Sequence, residues 1–287
     1  MRNKFTVVEL CNALEVSRSG YYKHLQGGQS TRSKENHEIL AEIKIIHQEA
    51  FKDAYGSPRI TIELDDRGFR CSENRVARIM ARNNIQAKHK SAFKPKTTIQ
   101  NSNHKPAPNL VKDKVPIRPG EILVSDITYV ATMEGWLYLA VTIDLFSRQA
   151  AGWHLDDNME TPLVINAVEK AGAQLDLSSE TIYHSDRGSQ YTSSTMRKWL
   201  QLRGITQSMS AAGYCYDNAS CESFFATLKR ESFPANCVFE TKAEARRTIF
   251  EYIETFYNRT RIHTSIGKQS PLHKLNQYYQ SNSITLN

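Results

Sequence analysis

The stretch 121-EILVSDITYVATMEGWLYLAVTIDLFSRQAAGWHLDD-157 decides the fold. Its β-branched and aromatic residues fall into three runs, "EILVSDITYVATM", "WLYLAVTIDLFSRQA" and "AGWHLDD". Glu134-Gly135 sits at the first break, where a tight turn is needed. This pattern predicts a three-stranded antiparallel meander. One residue is out of place in it. Asp126 lies among strand formers, where burying an unpaired carboxylate costs several kcal/mol.

Downstream, helix and strand patterns alternate. A helix is expected at about 161–175, a strand at "TIYHSD", a helix at about 193–203 and a strand at "ITQSMS". A helix holding Glu222 follows, and a last one spans about 241–260. Three antiparallel strands followed by alternating helices and strands match an α/β, ribonuclease H-like core: a mixed five-stranded sheet with flanking helices. In that fold the first and fourth strands lie side by side, which would make Asp126 and Asp186 neighbours despite their separation. Asp186 lies in "HSDRGSQY", where Gly188 lets the chain turn; taken alone it also reads as an ordinary turn aspartate. Asp144, at the end of the second strand, reads as structural.

Upstream, the reading is helical. In "TVVELCNALEVSRSGYYKHL" Thr6 and Glu9 fit a capping box, and Ser17 can cap a second short helix. Residues 34–51 form an amphipathic helix. "YGSPRITIELDDRG" then has Ser57 as cap, Pro58 at the first helical position and Gly68 as stop. Ser72 caps 73-ENRVARIMARN-83, whose Arg75, Arg78 and Arg82 share one stripe, while Val76, Ile79, Met80 and Asn83 share another. An all-α, helix-turn-helix region is therefore expected ahead of the core. The expected division is a small helical segment at 1–30, a helical, helix-turn-helix-like domain at 34–85, an extended basic linker at 86–118, the ribonuclease H-like core at 119–235, and a C-terminal helix and tail at 236–287.

Charge follows this division. Residues 1–118 hold 22 Lys and Arg against 12 Asp and Glu, a net of +10, and residues 119–287 hold 15 against 18, a net of −3. No acid occurs between Glu73 and Asp113, where Lys88, Lys90, Lys94 and Lys96 accumulate. A cationic run of this kind attracts a polyanion through counterion release. There is no long apolar run and no signal-peptide pattern, so no membrane is expected and the cytoplasm is the default location. The five cysteines include no C-x-x-C pair, which speaks against a disulfide framework or a zinc knuckle.

The stretch 217-DNASCESFFATLKRE-231 places Glu222 near a helix start, with Asp217 or Asn218 as cap, and Lys229 two turns on. Seven residues fall about 20° short of two turns, so both lie on nearly one face. A solvated i,i+7 charge pair is the ordinary reading, with Arg230 pointing elsewhere. The upstream acids change that reading, since 35 residues separate Asp186 from Glu222.

With "SDITYV" at 125–130, "HSDRGSQYTS" at 184–193, "YCYDNASCESFFATLKRE" at 214–231 and "YNRTRIHTSIGKQSP" at 257–271, the chain resembles the DDE transposase and retroviral-type integrase superfamily. It is most similar to the second-reading-frame transposases of two-frame bacterial insertion sequences. The resemblance implies metal-dependent DNA strand cleavage and strand transfer, with Asp126, Asp186 and Glu222 as catalytic residues and metal ligands. It implies two Mg²⁺ ions, about 3.5–4 Å apart, for which Mn²⁺ substitutes. Asp126 would bridge the two ions, and His184 would stand behind the ligands. DNA contacts are expected from Lys229, Arg75, Arg78, Arg82, Lys88, Lys90, Lys94 and Lys96. The implied partners are the element's terminal inverted repeats, target DNA, a first-frame transposase subunit and further copies of the chain on DNA, at the bacterial nucleoid. The competing readings are a DNA-binding regulator that does not cut, and a nuclease acting on hybrids.

Overall fold

The computed structural model describes residues 5–25, 30–88, 107–112, 114–210 and 219–283. The chain forms two compact units: Met1–Gln48 with Tyr55–Gln86, and Glu49–Ala54 with Ala87–Asn287.

The first unit is all helical: α1 Val7–Ala13, α2 Arg18–Leu25, α3 Thr31–Gln48, α4 Ser57–Asp66 and α5 Glu73–Arg82. The capping box opens α1, with Glu9 N donating to Thr6 Oγ1 at 3.3 Å and Thr6 N to Glu9 Oε2 at 2.7 Å. Ser17 Oγ accepts from Gly20 N at the start of α2. Helices α3, α4 and α5 enclose a small core of Ile39, Ile43, Ile46, Tyr55, Ile60, Leu64, Val76, Ile79 and Met80. At α4 the cap is Gly56 rather than Ser57. Ser57 is already helical, and its carbonyl accepts from Thr61 Oγ1 at 2.7 Å. Gly68 ends α4 at φ 86°, where a left-handed turn is needed. Asn83 is the C-cap of α5 and is exposed, so it does not belong to the apolar stripe.

The second unit is built on a mixed sheet in the order β3-β2-β1-β4-β5. The strands are β1 Ile122–Thr132, β2 Gly135–Asp144, β3 Ala150–Asp156, β4 Ile182–Ser185 and β5 Thr206–Met209. The first three form the expected antiparallel meander, while β4 lies parallel to β1 and β5 parallel to β4. A two-residue strand, β6 Val238–Phe239, also pairs in parallel with the far end of β1. On that side β1 is paired by β4 through Ser125 and by β6 from Ala131, and residues 126–130 have no strand partner there among the described residues.

Helix α6, Thr161–Gln174, packs on β2 and β3. The approach is close at Gly152, where an added Cβ would lie 2.0 Å from the Ala167 carbonyl oxygen. A short α7, Ser189–Thr192, and α8, Ser194–Leu202, follow β4. Leu123, Ala140, Leu163, Val164, Tyr183, Met196 and Leu200 fill the core on this face. Helix α9, Ala219–Ser232, packs across β1 and buries Phe224, Phe225 and Leu228, each contributing roughly 1.5–3 kcal/mol. The expected cap residues Asp217 and Asn218 lie outside the described residues.

The helix expected at about 241–260 is in two parts. Helix α10, Lys242–Phe250, is regular, and Glu251–Tyr257 continues as a π-helix. Its i→i+5 bonding brings residues five apart toward one side. A further helix, α11 Pro271–Ser283, occupies what pattern reading left as tail. Among the described residues no helix is long and apolar enough to cross a membrane.

Candidate active site

The sheet register brings the two aspartates together. Ser125 is paired with Ser185, and Asp126 and Asp186 are the next residues of the same two strands. They leave neighbouring strands, which run about 4.8 Å apart, at one level. Asp126 sits where β4 has ended, with its Oδ1 accepting from Ile127 N at 2.8 Å. Asp186 Oδ1 accepts from Gly188 N at 2.9 Å. A Cβ at Gly188 would stand 3.0 Å from that same oxygen, so a side chain there would press on the carboxylate.

Burial pushes the Asp126 carboxyl up to about 7, and the charges of Asp186 and Glu222 add to the push, while the Ile127 N–H and Lys229 oppose it. Burial also raises Asp186, against the hydrogen bond from Gly188. Two carboxylates forced together with so little compensation form a donor set suited to a hard divalent cation, which favours oxygen ligands. Glu222 is exposed in the first turn of α9, and its field reaches Asp126. Among the described residues no group of three His, Cys, Asp or Glu side chains converges closely enough to hold an ion. The charges of Asp186 and Glu222 thus each reach Asp126 without the three acids closing on one point.

Lys229 is half-buried in the last turn of α9. Burial lowers its pKa, while the charges of Cys237 and Asp126 raise it. Arg230, expected to point elsewhere than the Glu222 face, has a partner of its own. Its Nη2 donates to the buried carboxylate of Glu231 at 3.2 Å, because the side chain bends along the helix toward that anion. His184 is fully buried in β4, with Nδ1 2.8 Å from Ser208 Oγ and Nε2 3.1 Å from Ser210 Oγ. It ties the ends of β4 and β5 together behind Asp186. Asp144 is fully buried and accepts from Gly120 N, Ser147 N and Ser147 Oγ at 3.0, 2.9 and 2.6 Å, so it is satisfied by its own turn and by the segment ahead of β1.

The basic residues singled out upstream fall in different settings. Arg75 is pinned by Asn36 Oδ1 at 2.9 Å and Glu35 Oε2 at 2.8 Å, whereas Arg78 and Arg82 are exposed on α5. Lys88 stands 3.7 Å from the Asp53 carboxylate. Lys90, Lys94 and Lys96 lie outside the described residues. Pattern reading passed over Arg148 and Arg261, which flank the two ends of α9. Arg148 donates to Ser220 Oγ, and Arg261 is paired with Glu231. The signal for both was present in "DLFSRQ" and "YNRTRIH", as arginines set among apolar and aromatic residues.

Comparison with known proteins adds to this geometry. An Integrase core domain family model matches residues 116–215, a second Integrase core domain model matches 203–271, and an HTH-like domain model matches 34–93. The chain is 38% identical over 272 residues to the insertion element IS600 uncharacterized 31 kDa protein of Shigella sonnei, covering 94% of this chain and 99% of that one. It is 36% identical over 271 residues to the transposase InsF for insertion sequence IS3A of Escherichia coli K12, covering 93% of each. It is also 40% identical over 236 residues to the transposase for insertion sequence element IS904 of Lactococcus lactis, covering 82% of this chain and 92% of that one. Among solved structures, a simian T-cell lymphotropic virus intasome chain aligns at a TM-score of 0.47 and 15% identity, over 77% of this chain and 70% of that one.

Proposed function

The chain belongs to the insertion-sequence transposase family of InsF, with an integrase core, and we propose that it cuts and joins DNA at the ends of such an element using Asp126, Asp186 and Glu222 as metal-holding catalytic acids. One observation carries the reading: Asp126 and Asp186 sit at one level on adjacent strands, and burial, with the charge of Asp186 added, pushes Asp126 up to about 7. A fold gains nothing from two such carboxylates unless a cation joins them.

Asp126, at the end of β4's pairing, would hold Mg²⁺ or Mn²⁺ together with Asp186 and Glu222, as a site for two ions. When bound, such ions activate water or a 3′-hydroxyl for attack and stabilise the leaving oxygen. The Ile127 N–H and the Gly188 N–H hold the two aspartates in fixed rotamers before metal arrives. His184, by tying Ser208 and Ser210 to β4, keeps the strand end level with β1. Lys229 lies on the Glu222 face, roughly 10 Å along the helix, and would meet a DNA phosphate beside the acids. The first unit would hold duplex DNA through the exposed Arg78 and Arg82, with the basic 86–118 segment, including Lys88, Lys90, Lys94 and Lys96, following the backbone. Arg75, braced by Glu35 and Asn36, would orient α5 and contact phosphate from there. The partners that fit are the terminal repeats, target DNA, a first-frame subunit and further copies of the chain assembled on DNA at the nucleoid.

The test uses the full chain and a labelled duplex carrying the element's end, with Mg²⁺ or with chelator. Cleaved and joined products in Mg²⁺ alone support the reading. Binding without products in Mg²⁺ and in Mn²⁺ would overturn it in favour of a regulator that occupies the ends.

A further inference from the structure

Helix α9 carries Glu222 in its first turn and Lys229 in its last, so its placement decides whether the three acids can converge. A slip of one residue along its axis turns each side chain by about 100° and moves it about 1.5 Å. Apolar contacts of Phe224 and Leu228 tolerate small slides, because they are non-directional. What opposes sliding must be directional, and the structure has such contacts at both ends of the helix.

At the C-terminal end, Glu231 is 1% exposed and Arg261 is 3% exposed. The guanidinium meets the carboxylate side-on, Nε to Oε2 at 2.7 Å and Nη2 to Oε1 at 2.8 Å. Tyr252 Oη donates to the same Oε2 at 2.7 Å, and Arg230 donates to Oε1. At the N-terminal end, Arg148 donates to Ser220 Oγ, two residues before Glu222. Arg148 is aimed there by the β2–β3 turn, where it has φ 63° and its N–H donates to the Asp144 carbonyl at 2.8 Å. Its own carbonyl accepts from Tyr257 Oη at 3.2 Å. Asn258 exchanges two hydrogen bonds with Ala150 in the next residues of that turn, at 3.0 and 3.1 Å. Between the two ends, the Tyr257 ring meets Phe224 edge-on, with centroids 4.7 Å apart.

Both sets of contacts trace to one stretch, Tyr252 to Arg261, directly at the C-terminal end and through the held backbone of Arg148 at the N-terminal end. Its π-helical turn makes this possible, since i→i+5 bonding brings Tyr252 and Tyr257 toward one side, one hydroxyl reaching Glu231 and the other reaching Arg148. A bidentate Arg–carboxylate pair fixes distance and orientation together. A buried pair of this kind adds little net stability compared with apolar residues of like volume, so its use here is positional. We propose that Tyr252–Arg261 is a two-ended clamp that sets the register of α9, with Arg261 and Arg148 as positioning residues for Glu222; the proposal rests on the reading of Glu222 as a catalytic acid.

The test compares the full chain with the double variant Glu231→Met/Arg261→Met, and separately with Arg148→Gln, on a labelled duplex carrying the element's end. Removing both buried charges together avoids leaving one unpaired, so folding should survive. The expected result is a thermal unfolding midpoint and DNA affinity close to wild type, cleavage slowed about tenfold or more, and a higher Mg²⁺ concentration for half-maximal rate. A merely structural role would not raise the Mg²⁺ requirement of a folded variant. Wild-type cleavage at the wild-type Mg²⁺ requirement in the folded double variant would overturn the proposal. Slower cleavage with an unchanged requirement would also overturn it, by placing the effect elsewhere than Glu222. If the double variant does not fold, Arg148→Gln decides by the same two readouts. Glu222→Gln is measured alongside: cleavage surviving there removes the reading of Glu222 itself and the clamp's purpose with it, whereas loss there with wild-type behaviour in the clamp variants removes only the clamp.

Discussion

Replacing Asp126 with Asn should stabilise the metal-free protein at neutral and higher pH. In the folded chain the Asp126 carboxyl is pushed up to about 7, first by burial and then by Asp186, from an ordinary 3.8. A group raised in this way binds its proton more tightly when folded, so its favourable contribution is complete below about 3.8 and is lost as pH rises through about 7. At 1.36 kcal/mol per pKa unit, a rise of about three units makes the charged form cost on the order of 4 kcal/mol at pH 8. An Asn of the same shape carries no charge and avoids that cost. For a chain of this size 1 kcal/mol shifts Tm by roughly 2–4 °C, so the difference should be several degrees. Thermal unfolding followed by circular dichroism in chelator, from pH 4 to pH 8, measures it. Wild type and Asp126→Asn should converge near pH 4 and separate as pH rises, and adding Mg²⁺ should restore the wild type alone. A variant no more stable than wild type at pH 8 would refute the claim that this carboxylate is held charged against burial and its neighbours.

Three further outcomes are expected. Gly188→Ala places a Cβ 3.0 Å from Asp186 Oδ1 and should raise the Mg²⁺ concentration needed for cleavage, with little change in DNA binding. Lys229→Ala should slow joining and lower the salt slope of end binding by about 0.9, one phosphate contact; the exposed Lys198 on α8 is the matched control, since Arg230 touches Glu231. Arg78→Glu with Arg82→Glu should weaken duplex binding in a filter or anisotropy assay and flatten its salt dependence by roughly two contacts or more, while the helical core, which excludes both side chains, stays folded.

The meander was readable because strand alternation and turn residues are local signals, whereas the meeting of Asp126 and Asp186 across parallel β1 and β4 came from likeness to the ribonuclease H-like fold, since element order alone does not fix which strands pair. The capping box of α1, a local signal too, was readable. The π-helix at Glu251–Tyr257 was not, since its residues suit an α-helix equally and the bonds of Tyr252 and Tyr257 that accompany the wider turn are tertiary. Strand β6 is two residues long and has no period to detect. Glu231 shows most clearly what pattern reading misses. In "TLKRES" it looks like one more solvated helix charge, and its partner Arg261 lies thirty residues on, so its burial depends on a contact that no local window contains. Helix α11 did carry a signal, Ser270 before Pro271, with Ser270 Oγ accepting from His273 N at 3.4 Å.

The central claim is that Asp126, Asp186 and Glu222 act as one metal-holding site for cutting and joining DNA. Asp126→Asn, Asp186→Asn and Glu222→Gln each keep side-chain shape and remove the anion. On labelled end DNA in Mg²⁺ and in Mn²⁺, each variant should bind the end with wild-type affinity and yield no cleaved or joined product. Substantial joining by any one of the three would contradict the account, because that residue could not then be holding the metal.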